Sequence, residues 1–237
     1  MSPYVSICDV PSWNGAEARP GPAGPAGPGL PARSGETESR ALSLAGAVAR
    51  DTAVMSRMFV ALVPSPAVLS EVERAVAPLR AAWPHLTWVE PANWHITLAF
   101  LGEVHDGVRP ELSVRLARAA RHHAPLPLAL GGAGTFTGRA RANALWLAVR
   151  EPGRLGRLAG SIAAGARRAG AGELDGRPYR AHFTLVRSRK GADLAPLAES
   201  LSTFQSAFWT ADHAELFVSH LGPPLRYESV ETYPLGT

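Results

Sequence analysis

From about residue 56 onward the sequence predicts an α+β fold. Its apolar runs are of strand length and rich in β-branched and aromatic residues. Amphipathic stretches of helix length lie between them, several opened by Ser or Pro and closed before Pro or Gly. The two kinds of segment follow one another without the strict alternation of a doubly wound sheet.

Taken in order, Met58–Val63 is a short apolar strand, and Ser65-Pro66 then starts a helix, with proline where a missing N–H costs nothing. That helix runs to about Ala82 and stops before Pro84, since proline cannot continue it. Strands follow at Thr87–Glu90 and Trp94–Leu101. A helix near Arg109–His122 leads to strands near Leu126–Leu130 and Ala144–Val149. A third helix, roughly Arg154–Ala169, precedes a Gly-rich loop and a strand at Ala181–Arg187. A short helix covers about Leu194–Leu201, and two closing strands, Ala214–Ser219 and Arg226–Thr232, are joined by a turn at Gly222-Pro223-Pro224. The stretch Gly131–Gly138 is Gly-rich, but its spacing misses a dinucleotide-binding fingerprint and no Gly-Lys-Ser/Thr follows, so a turn is expected there.

Residues 1–55 stand apart. The repeat Gly21-Pro22-Ala23-Gly24-Pro25-Ala26-Gly27-Pro28 offers neither core side chains nor a helix-compatible backbone, and is too short for a collagen triple helix. A disordered, dispensable leader is expected, with Met55 and Met58 as alternative starts directly before the first core strand. Ala41–Ala49 resembles a signal-peptide core only loosely: it lies forty residues in and ends at Arg50-Asp51. The leader sets Arg19, Arg33, Arg40 and Arg50 against Asp9, Glu17, Glu36, Glu38 and Asp51. The leader is therefore net −1 and, with +4 for the whole chain, the remainder carries +5, a modest basic excess that fits an anionic substrate.

Composition excludes several classes. With 46% hydrophobic residues, no apolar run approaches the roughly 18 residues of a membrane-spanning helix. The lone Cys8 rules out a disulfide framework and a thiolate metal site, so the cytoplasm is the simplest location. No Gly-x-Ser-x-Gly elbow is present, which argues against a serine hydrolase.

One chemical unit occurs twice, as His95-Ile96-Thr97-Leu98 and His182-Phe183-Thr184-Leu185, each inside a strand-like run. Side chains alternate faces along a strand. His95 and Thr97 therefore share one face while Ile96, Leu98 and Phe100 share the other, and the second copy separates His182 and Thr184 from Phe183 and Leu185. One face packs a core; the other shows an imidazole and a hydroxyl to a cleft. A single His-x-Thr is a weak signal, but two copies followed by Leu in two strands are not an accident of composition.

These motifs resemble the two-histidine (2H) phosphoesterases, in their bacterial RNA 2′,3′-cyclic phosphodiesterase (2′-5′ RNA ligase-like) branch. The resemblance is carried by Met58-Phe-Val-Ala-Leu62, Asn93-Trp-His-Ile-Thr-Leu-Ala-Phe-Leu-Gly102, His182-Phe-Thr-Leu-Val-Arg187 and Ser219-His-Leu-Gly-Pro223. It covers about residues 56–237. One departure is Ala181, where the family usually has Pro or Arg. The resemblance implies two similar lobes with antiparallel sheets, related by a pseudo-two-fold axis, with the active-site cleft between them. It also implies that His95 is the proton donor, His182 the proton acceptor, and Thr97, Thr184 and Arg187 the groups that bind substrate. No metal and no cofactor are called for.

Opening a 2′,3′-cyclic phosphate needs an activated water on one side of phosphorus and a protonated leaving oxygen on the other, and imidazole serves both roles near neutrality. The residues alone cannot say which histidine does which, because the motifs are near-symmetric. On a straight strand Arg187 falls on the face opposite His182, so it needs a bulge or a strand end to reach the phosphate. Phe136, Trp146 and Tyr179 could stack a nucleobase, although core packing suits each. His122 and His123 are neighbours on a helix and diverge by about 100°, unlike a metal-binding pair. His85 and His105 read as loop residues; His213 and His220 read as structural. The expected partners are RNA ends or nucleotides bearing a 2′,3′-cyclic phosphate, met by a monomer with no membrane association. Ligation of 2′-5′ RNA ends, hydrolysis of a small cyclic phosphate such as ADP-ribose 1″,2″-cyclic phosphate, and a non-catalytic RNA-end binding module remain alternatives. Retention of both histidines favours an enzyme.

Overall fold

The computed structural model describes residues 54–136, 142–150, 152–171 and 178–236. The leader expected at residues 1–55 lies outside them, apart from its last two residues. The elements are β1 (Met55–Leu62), α1 (Pro66–Ala82), β2 (Thr87–Trp88), β3 (Ile96–His105), α2 (Arg109–Arg121), β4 (Leu126–Phe136), β5 (Ala142–Arg150), α3 (Pro152–Arg168), β6 (His182–Ala192), α4 (Ala195–Ser200), β7 (Trp209–Ala211), β8 (His213–His220) and β9 (Arg226–Pro234).

Local chemistry accounts for most of these. Ser65 accepts the Val68 N–H at the start of α1, Pro66 occupies its first turn, and Val68, Val72 and Val76 recur every fourth residue as its buried stripe. The helix ends at Trp83, just before Pro84.

The strands form one antiparallel sheet in the order β7-β4-β5-β6-β3-β1-β8-β9, with β2 added beside β6. Two four-stranded halves, β3-β1-β8-β9 and β6-β5-β4-β7, meet at β3 and β6 through the single pair Ile96↔Phe183. The run β1-α1-β3-α2 is repeated as β5-α3-β6-α4. The next long strand of each run crosses over: β4 joins the second half's sheet and β8 the first's. That exchange ties the two lobes together, as the α+β two-lobed expectation required.

Helices cover one face of the sheet. Val72 of α1, Leu112 and Leu116 of α2, and Leu158 and Ile162 of α3 belong to the same buried cluster as Leu62, Ile96, Leu98, Leu145, Phe183 and Leu185. Each such side chain contributes roughly 1.5–3 kcal/mol by leaving water. The opposite face is left for chemistry. Among the described residues no helix is long and apolar enough to cross a membrane.

Several boundaries differ from expectation, each for a physical reason. The stretch from Gly131 is not a turn: β4 continues to Phe136, and Thr137 and Gly138 lie outside the described residues. Gly132 has φ +70° where β4 slips register against β5. A Cβ on Gly134 would sit 2.5 Å from the Trp146 ring, so these glycines admit a bulge and a tryptophan rather than a loop. The strand expected at Thr87–Glu90 keeps only two residues, because Pro91 opens a single 3₁₀ turn ending at Asn93. His122 caps α2 and His123 lies beyond it, hydrogen-bonded to Ser161 at 2.8 Å; neither is in the helix. His105 ends β3 rather than lying in a loop, and its Nδ1 accepts the Gly107 N–H. The three-residue β7, paired with Leu126–Leu128, is too short to register as a pattern.

Candidate active site

The Ile96↔Phe183 pair sets the site. In an antiparallel pair the flanking residues face one another across the strands. Continuing that register by one residue sets His95 opposite Thr184 and Thr97 opposite His182. The four side chains occupy the helix-free face around a local two-fold axis. Both histidines are half-buried, whereas Ile96 and Phe183 are fully buried beneath them.

Each imidazole is oriented in the same way. The Nδ1 of His95 lies 2.7 Å from the Asn93 carbonyl, and the Nδ1 of His182 lies 2.8 Å from the Arg180 carbonyl. A carbonyl only accepts, so Nδ1 carries the hydrogen in both rings and Nε2 is turned toward the cleft. His95 Nε2 lies 3.0 Å from the Thr97 hydroxyl. An aromatic edge steadies each ring: Tyr227 meets His95 at 5.3 Å and 83°, and Phe136 meets His182 at 4.8 Å and 86°.

Both histidines favour the neutral form. Burial is the largest cause and brings His95 down to about 4; the Asn93 carbonyl opposes it, and the charges of Arg187 and His182 reinforce it. Burial likewise lowers His182, with Arg187 and Arg180 adding to the effect and the Arg180 carbonyl opposing it.

A β-bulge brings Arg187 to the histidines. Thr184 pairs with Trp146 and Val186 with Leu145, so Leu185 is an extra residue in β6. Leu185 and Val186 are both buried, and the side-chain alternation resumes with Arg187 on the face of His182 and Thr184. The first motif does the same. Thr97 pairs with Ala61 and Ala99 with Val60, leaving Leu98 as the extra residue, and Phe100 returns to the face of His95. Phe100 is 51% exposed, the fifth residue after His95 as Arg187 is the fifth after His182.

Beyond this position the two halves differ in furnishing. In the first, Phe100, Phe59 and Phe217 form one cross-strand row, with Phe59 and Phe217 stacked at 5.1 Å. In the second, the equivalent row is Arg187, Ala144 and Phe136. Beside His95 a pocket of about 150 Å³ is lined by Val63, Leu69, Asn93, Phe217 and Tyr227, among others.

The sequence-predicted residues His95, Thr97, His182, Thr184 and Arg187 are thus brought to one face. Of the three aromatics weighed for stacking, Phe136 is buried against His182, Trp146 lies over Gly134, and Tyr179 packs toward α3. His213 and His220 make exposed side-chain hydrogen bonds with Asp212 and Glu228. Phe100, expected on the core face with Ile96 and Leu98, is instead returned to the cleft by the bulge at Leu98, and the supporting role of Asn93 carried no local signal. Superposing the two motifs would have found Phe100, since whatever brings Arg187 to the cleft brings its counterpart. Among the described residues no group of three or more His, Cys, Asp or Glu could hold a metal ion.

Residues 63–146 match the family described as LigT like Phosphoesterase. The RNA 2′,3′-cyclic phosphodiesterase of Geobacillus stearothermophilus is 30% identical over 181 residues, 76% of this chain and 57% of that protein. The Bacillus subtilis protein of the same description is 29% identical over 149 residues, 63% of this chain and 80% of that one. The chain thus spans less than two thirds of the first relative and most of the second. Among solved structures, Escherichia coli LigT complexed with 3′-AMP has a TM-score of 0.61 at 26% identity, covering 78% of this chain and 100% of that chain. TT0787 of Thermus thermophilus has a TM-score of 0.60 at 26% identity, covering 76% of this chain and 97% of that chain.

Proposed function

We propose that the chain is a LigT-like, two-histidine phosphoesterase, and specifically an RNA 2′,3′-cyclic phosphodiesterase that leaves a 2′-phosphomonoester. The single observation that carries this reading is the pair of imidazoles on one face, each with Nδ1–H fixed to a backbone carbonyl and Nε2 presented to the same space. A phosphodiester set between them meets a base on one side and an acid on the other.

In this mechanism the phosphate lies over Thr97 and Thr184 with Arg187 against its nonbridging oxygens. Neutral His182 takes a proton from water through Nε2 as the water oxygen bonds to phosphorus. The bond from phosphorus to the 3′-oxygen breaks, and His95, protonated at Nε2, gives that oxygen its proton. The threonine hydroxyls and the guanidinium stabilise charge as it gathers on the phosphoryl oxygens.

The different furnishing of the two halves supports this division of roles. Exposed Phe100 offers a nucleobase a face to stack on, while the second half offers a cation. A nucleoside held on the first half directs its ribose, and so the leaving 3′-oxygen, toward His95. The far side of phosphorus then faces His182. Burial makes His95 resist protonation, and an anionic substrate favours its imidazolium.

The test is incubation of the purified protein with a nucleoside 2′,3′-cyclic phosphate in EDTA, with chromatographic identification of the product. The 2′-phosphate is expected. A 3′-phosphate, or turnover only with added divalent metal, contradicts the mechanism.

A further inference from the structure

The second half of the cleft holds a cation that this chemistry leaves unused. Arg180 stands two residues before His182, and only its carbonyl is engaged there. Its side chain is exposed, with the guanidinium carbon 5.7 Å from the centre of the Phe136 ring. Phe136 is the same ring that steadies His182. Among the described residues no carboxylate pairs with Arg180. The matching residue of the first half is buried Asn93, whose amide donates to the Leu225 carbonyl at 3.0 Å and whose oxygen accepts the Tyr227 N–H. One position, two residues ahead of each histidine, is therefore locked in one half and charged and exposed in the other.

Arg180 and Arg187 bracket the second motif. Two extended residues span roughly 7 Å, so Arg180 lies beyond the oxygens that His182 and Thr184 hold, on the side away from Arg187. A cyclic phosphodiester carries one negative charge, which Arg187 already answers. A guanidinium resting on a ring gives up little when a phosphate offers it paired, charge-assisted hydrogen bonds.

We propose that Arg180 binds the phosphate joining the terminal nucleotide to its 5′ neighbour, so that the site favours the cyclic end of an RNA strand over a free cyclic mononucleotide. This rests on the phosphodiesterase reading above. It turns a centre able to open any small cyclic phosphate into one that measures whether a chain is attached.

The experiment compares kcat/KM for a cyclic mononucleotide and for a short oligoribonucleotide ending in the same cyclic phosphate, across a range of NaCl. Arg180→Gln should lower the oligonucleotide-to-mononucleotide ratio about tenfold and make the oligonucleotide salt slope shallower by about 0.7, the loss of one single-strand phosphate contact. Arg180→Lys should retain most of the ratio. An unchanged ratio overturns the proposal. So does an equal loss on both substrates with a shifted pH profile, which would make Arg180 only an electrostatic neighbour of His182. A wild-type protein inert on both substrates would sink the phosphodiesterase reading instead. Fluorescence anisotropy with a labelled oligonucleotide ending in a 2′-phosphate then decides separately, unchanged Kd and salt slope in Arg180→Gln overturning the assignment.

Discussion

The segments His95–Phe100 and His182–Arg187 share one frame: His, a buried residue, Thr, a bulging Leu, and a fifth residue returned to the cleft by that bulge. What each half does with the frame differs. The first backs its histidine with Phe59, Phe217 and Tyr227 and ends on exposed Phe100. The second backs its histidine with Phe136 and ends on Arg187, with Arg180 beside it. Symmetry supplies two equivalent imidazoles, which alone could not distinguish water from leaving group. The unequal surroundings give the site a direction, with an aromatic surface on one side and two guanidinium groups on the other.

The comparison breaks first at the histidines. His95→Ala and His182→Ala should each cut kcat/KM by at least about 10²-fold, the scale of lost acid–base help, with circular dichroism unchanged. Near-wild-type turnover in either removes that histidine from the mechanism. The fifth residues sharpen the contrast. Arg187→Gln should lower kcat by about 10²-fold, because its charge meets charge that develops in the transition state. Phe100→Leu should raise KM by about tenfold with kcat little changed, since stacking is worth about 1–3 kcal/mol in ground and transition states alike. Steady-state kinetics that reversed these two signatures would exchange the roles of the halves.

Much of this was legible in the sequence, and what was not has a local cause. Ser65-Pro66 and Pro84 announced α1 within a residue of its limits, because capping is local chemistry. The alternation within each motif placed His and Thr on the cleft face. It failed beyond the threonine, because a bulge inserts one residue and reverses the parity of all that follow. Arg187 therefore looked misplaced, and Phe100 was assigned to the core face with Ile96 and Leu98 for the same reason. Gly131–Gly134 read as a turn because a strand glycine that makes room for a neighbouring tryptophan has the same composition as a loop. The clamp made by Asn93 joins residues more than a hundred positions apart, and no local pattern records it.

A smaller effect concerns pH. Burial holds both histidines below 6.5, so kcat/KM should be bell-shaped with its optimum on the acid side of 6.5. The bound anion favours the imidazolium of His95, so the alkaline limb of kcat should lie at higher pH than that of kcat/KM. Stability follows the same groups. Above 6.5 both states hold His95 neutral; as pH falls from 6.5 toward 4 the unfolded chain takes up a proton that the folded one refuses, and stability declines. Thermal unfolding of His95→Gln should lose less over that window. Coincident kinetic limbs, or an equal decline in the variant, would show that the two surroundings do not tune the pair.

The smallest effect is expected from the Pro/Gly-rich residues 1–54, which composition reads as a dispensable leader. A chain beginning at Met55 should keep its Tm and its cyclic phosphodiesterase activity within error. A fall of more than about 5 °C, near 1 kcal/mol or more for a domain of this size, would mean that Ala41–Val54 packs on the lobes.

The direction of the site is tested most directly by changing the leaving group. A substrate with sulfur in place of the bridging 3′-oxygen expels a thiolate, whose low basicity needs no proton donor. On that substrate His95→Ala should recover most of its lost rate relative to the oxygen substrate, while His182→Ala should recover none. Recovery in His182→Ala, or an undiminished defect in His95→Ala, would contradict the assignment of acid to the aromatic half and base to the cationic half.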